Sequence, residues 1–80
     1  MLSDSDRTIL EFERQWWRHR APKDRAVRDR LGVSGTRYHQ LLNSLIDRPD
    51  ALAYDPMLVG RLRRLREARR RARAARRLER

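Results

Sequence analysis

Thr36, Arg37, His39, Gln40 and Asn43 crowd into one short stretch, and each can hydrogen-bond to a base edge or a phosphate. A Gln carboxamide matches the N6 and N7 of adenine, so Gln40 suits a bidentate adenine contact. Arg37 suits guanine or a phosphate, and Thr36 a base edge or a thymine methyl. A second set suits phosphate alone. It comprises Lys23, the Ser34 hydroxyl, the Gly35 backbone N–H and the arginines Arg63, Arg64, Arg66, Arg69, Arg70, Arg71, Arg73, Arg76 and Arg77. Catalytic chemistry finds no such support. His19 and His39 have no cysteine partner and no HxxxH or HExxH spacing, and there is no Gly-rich phosphate loop or nucleophile elbow. The reading is therefore of a non-enzyme with no metal, no cofactor and no small-molecule ligand.

Base-reading side chains need a rigid helix beneath them, and the residues around them specify one. Val27 and Leu31 lie four apart on a helical face, Gly32 can leave the helix with positive φ, Val33 fills the bend and Ser34 caps a second helix. Tyr38, Leu42 and Leu45 then recur at spacings of four and three, turning the polar set away from the core. Val27 to Leu45 thus reads as a helix-turn-helix, with the reader helix over about Gly35 to Ile46. In that motif the second helix enters the major groove and reads bases from its N-terminal half. The small residue often found after the first apolar position is Arg28 here, so a less close helix crossing is expected. Gly35 supplies a backbone N–H but no side chain.

The remaining elements are set by caps and breakers. Ser3 or Asp4 starts a first helix, about Asp6 to His19, with Ile9, Phe12 and Trp16 on one line and Leu10 and Trp17 on another. Trp16 reads as core, and Trp17 as packing ahead of a stacking or partner contact. Ala21-Pro22 opens a second helix ending at Leu31, with an Asp24–Arg28 pair expected on its surface. Lys23, near its start, stands where the motif's first helix crosses the DNA backbone. Pro49 ends the third helix through Arg48, a brief turn is expected over Asp50 to Ala53, and Asp55-Pro56 starts a last helix running towards the C-terminus. Its stripe of Leu58, Leu62 and Leu65 thins to alanines, so its first half should pack and its second half should fray until phosphate neutralises it. The expected fold is all-α: a three-helix bundle containing the helix-turn-helix, residues 1–65, plus a long Arg-rich C-terminal extension, residues 66–80.

Eighty residues with a net charge of +10 leave room for one small domain. The charge is lopsided: residues 1–60 carry +1 and residues 61–80 carry +9. Such a footprint calls for a polyanion, with nucleic acid ahead of a membrane surface. The absence of cysteine excludes disulfides and thiolate chemistry. No apolar run is long enough to span a bilayer, and the acidic start does not suit a signal peptide, so a cytoplasmic, nucleoid location is expected.

The blocks LSDSDRTILEFERQWW and LGVSGTRYHQLLNSLIDRPDALAYDP, together with the Arg-rich close, resemble a family of small actinobacterial proteins long described as of unknown function. At least one mycobacterial member is a nucleoid-associated protein. The resemblance implies double-stranded DNA binding, with effects on compaction and transcription; it transfers no base-contact residue. Three other readings compete: a protein-interaction adaptor for the transcription machinery, an RNA binder, and a plain helical bundle with a solvated charged tail. A homodimer also remains open, because the Leu58, Leu62 and Leu65 stripe could pack on helix 1 or on a second copy.

Overall fold

In a computed structural model, which describes residues 1–16 and 22–78, the chain is all-helical, and no strand occurs among the described residues. Five helices succeed one another: α1 (Asp4–Trp16), α2 (Lys23–Leu31), α3 (Gly35–Ile46), α4 (Pro49–Tyr54) and α5 (Pro56–Leu78). Trp17, His19 and the expected end of the first helix lie outside the described residues. The turn expected over Asp50 to Ala53 is a complete short helix, begun by Pro49 after Arg48 adopts extended geometry (φ −81°, ψ 135°).

Four of these starts and stops have a local cause. Ser3 Oγ accepts from the Asp6 N–H while Asp6 Oδ2 accepts from the Ser3 N–H, a reciprocal cap that begins α1 two residues before the periodicity suggested. Gly32 ends α2 in the left-handed region (φ +70°), its N–H donating to the Arg28 carbonyl. Two residues later Ser34 Oγ accepts from the Arg37 N–H and starts α3. Asp55 Oδ1 caps α5 through the Leu58 N–H.

α3 is the hub, touching all four other helices. Its Tyr38, Leu42, Leu45 and Ile46 are buried against Ile9, Leu10 and Phe12 of α1, Val27 of α2, Ala51 of α4 and Leu58 and Val59 of α5. The expected apolar faces are present, with two changes. Val59 is fully buried and Leu65 is 46 % exposed, so α5 packs on Leu58 and Val59 with Leu62 half-buried, rather than along the whole Leu58, Leu62, Leu65 line. Leu2, ahead of the first cap, also joins the core.

Polar ties fix the helices further. Arg48 donates to Asp50 at 2.7 and 3.1 Å and to Asp6 at 3.0 Å, joining the α3–α4 corner to the start of α1. α5 continues unbroken through the expected 65/66 boundary, but beyond Arg66 all its described residues are exposed. The change at that boundary is therefore in burial, while the backbone conformation stays helical.

Candidate nucleic-acid interface

The five base-reading candidates all reach solvent. Thr36, Arg37, His39, Gln40 and Asn43 are exposed on α3, while Tyr38, Leu42 and Ile46 between them face the core. Because α3 is packed on all sides but one, these side chains, with Ser44 and Asp47, make up its open face among the described residues. His39 is held edge-on to the Tyr38 ring, with centroids 5.7 Å apart.

Beneath that face lies a polar lock. Glu13 on α1 is buried; its Oε1 accepts from the Tyr38 hydroxyl at 2.5 Å and pairs with Lys23 Nζ, also at 2.5 Å. Burial first, then the Glu13 hydrogen bond and charge, push the Tyr38 hydroxyl well above the usual tyrosine range, so it stays a donor. The lock ties α1, α2 and α3 together at one point. It also gives Lys23, expected to contact phosphate, a partner inside the fold: its side chain is 28 % exposed, and its ammonium lies 5.6 Å from the Tyr38 ring centroid and balances the charge of Glu13.

At the start of α3 the Asp24 carboxylate leans on Gly35, where an added Cβ would lie 2.6 Å from Asp24 Oδ1. The Asp24–Arg28 pair expected on α2 is not among its ion pairs, and the acid faces the α3 N-terminus instead, where helix N–H groups favour a negative charge. Ser34 and Gly35, read as phosphate contacts, therefore share their site with a resident carboxylate.

The arginines of α5 divide by position. Arg63 Nε donates to the Ile46 carbonyl at 2.5 Å, and Arg66 donates to the Asn43 carbonyl at 3.3 Å and to Asp47 at 2.5 and 3.3 Å. These two satisfy carbonyls at the C-terminal end of α3, where cations are favoured. The Arg66 guanidinium also holds the Asp47 carboxyl below its usual range. Arg71 sits 3.8 Å from Glu67, one helical turn earlier. Arg64, Arg69, Arg70, Arg73, Arg76 and Arg77 are exposed and make no hydrogen bond or close ion pair among the described residues.

The two bonds to α3 also set direction. As α5 advances from Arg63 to Arg66, the carbonyl reached retreats from Ile46 to Asn43, so the helices run in opposite senses. Between them opens a cleft of about 830 Å³, with His39 and Asn43 on one wall and Arg69, Arg70 and Arg73 on the other; Trp16 and Lys23 also line it. The open polar face of α3 and the arginine arm thus border one another.

Against known families, residues 1–74 match the one described as Protein of unknown function (DUF3263). The chain belongs to that family. No curated protein and no solved structure matches it. Two features of this DUF3263 chain's interface escaped the sequence: Arg61, which lines the cleft, and the Glu13 lock. The signal for Glu13 was present, because it occupies a stripe position four after Ile9 and three before Trp16, where a charge implies a buried partner. No helix is long and apolar enough to cross a membrane among the described residues.

Proposed function

We propose that the chain is a double-stranded DNA-binding protein of the nucleoid-associated kind, with weak sequence preference and a role in regulating transcription. α2 and α3 act as a helix-turn-helix in which α3 enters the major groove, and the arginines on the α3-facing side of α5 hold phosphates. The observation that carries this reading is the α5 arginine arm running antiparallel beside the open polar face of α3. Phosphate contacts and base contacts then fall on one side of the molecule, as a duplex requires. Gln40 and Arg37 supply direct readout, and Thr36, His39 and Asn43 complete the face. Gly35 contributes no side chain, which fits limited discrimination. The resemblance to a family with a nucleoid-associated member supports the same reading.

Titrating the full chain with duplex DNA, single-stranded DNA and structured RNA over several salt concentrations tests it. Neutralising about six to eight phosphates gives a log–log salt slope of about −5 to −7 on duplex. Failure to bind duplex at low salt would overturn the reading and favour a protein adaptor; tighter binding to RNA would favour an RNA partner. Sedimentation of the same samples reports whether a homodimer doubles the DNA-binding surface.

A further inference from the structure

The arginines of the arm are not spread evenly around α5. Leu58, Val59 and Leu62 mark the side of α5 that meets the core. Carried along the helix at spacings of three and four, that same side holds Arg66, Arg69, Arg70, Arg73, Arg76 and Arg77. Arg64 and Arg71 lie on the opposite side. The apolar stripe that packs the first half of α5 is thus continued as an arginine stripe once the helix leaves the core. Its Arg66, Arg69, Arg70 and Arg73 line the cleft beside α3.

Resting on the DNA reading above, we propose that this cleft seats the sugar–phosphate backbone of a single strand of the duplex. Arg69 and Arg73 grip successive phosphates while the adjoining face of α3 reads the bases. Arg69 and Arg73 stand one helical turn apart, about 6 Å along the axis, a separation on the scale of neighbouring phosphates. Neither has a carboxylate partner among the described residues, and the one buried acid of the cleft, Glu13, is held by Lys23 and Tyr38. His39 and Asn43 of α3 line the cleft together with Arg69, Arg70 and Arg73, so the stripe borders the exposed polar residues of α3. Leu42 and Leu62 give the cleft an apolar floor suited to deoxyribose. An acidic partner helix fits less well. Its carboxylates would meet the stripe about one per helical turn from a second helix axis, whereas a nucleic-acid strand carries a phosphate at every nucleotide. The planar guanidinium fork also matches a phosphate in two bonds.

Two full-length double variants that remove equal charge separate this seat from a diffuse cationic cloud: R69Q/R73Q on the cleft side and R64Q/R71Q on the outer side. Both are titrated with one duplex across a salt series, with circular dichroism to verify helix content. The cleft pair is expected to lose about 10- to 100-fold in affinity and about 2 units of salt slope; the outer pair loses no more than about threefold. R69K/R73K keeps the charge and removes the fork, and it should lower affinity with the slope unchanged. Equal losses for the two Gln pairs, with wild-type duplex binding intact, overturn the seat and leave the DNA reading standing. Absence of wild-type duplex binding overturns both.

Discussion

At the scale of single residues, the same side-chain chemistry serves two tasks that position alone separates. Gln40 is exposed on the open face of α3, whereas Lys23 is engaged by Glu13 beneath it. Gln40→Ala should therefore reduce discrimination between duplexes by about 1–3 kcal/mol while leaving most non-specific affinity. Competition binding against shuffled duplexes measures this, and an equal loss on every sequence would make Gln40 a backbone contact. Lys23→Gln should do the opposite. It removes the cation paired with a buried carboxylate, so the midpoint of urea unfolding should fall while the salt slope of DNA binding stays constant. A slope reduced by about 1 would instead return Lys23 to the phosphate contacts.

At the scale of elements, the corner between α2 and α3 depends on two glycines with different reasons for being glycine. Gly32 has φ +70° with open space around it, so Gly32→Ala meets backbone strain of about 1–2 kcal/mol and no clash. Gly35→Ala meets only the Asp24 carboxylate, which can swing aside. Denaturant unfolding should show clear destabilisation in the first variant and a much smaller effect in the second. The corner was legible in the sequence because its signals are local: Gly32, the Ser34 cap, and Tyr38, Leu42 and Leu45 at helical spacing. The α5 start at Asp55-Pro56 was legible for the same reason. What escaped depends on distant partners. Nothing local shows that Lys23 meets Glu13, that Arg63 and Arg66 close the C-terminal end of α3, or that Val59 rather than Leu65 is buried. Helix direction escaped as well, since periodicity assigns faces but not which way a neighbour runs.

At the scale of the whole molecule, carboxylates join segments distant in the chain. The backbone N–H and hydroxyl of Ser3, with Arg48, hold Asp6 below the usual carboxyl range; Arg48 does the same for Asp50 and Arg66 for Asp47. A carboxyl depressed on folding contributes stability that is complete above its unfolded pKa and disappears as pH falls through the lower folded value. The melting temperature should hold steady above about pH 4 and drop below it, and Asp6→Asn should reduce that drop. Thermal melts at pH 6 and pH 3 read this directly. The hub position of α3 has a further consequence for how the molecule opens. A helix packed against every other one cannot unwind at its centre without releasing the core, so its hydrogen-bonded amides should exchange only through global unfolding, whereas the exposed tip of α5 should open independently of the rest. Under the proposed function, sequence preference would be carried by the slowest-exchanging segment and affinity by the fastest, so the protein could loosen and re-form its hold on a chain of phosphates without disturbing the surface that reads it.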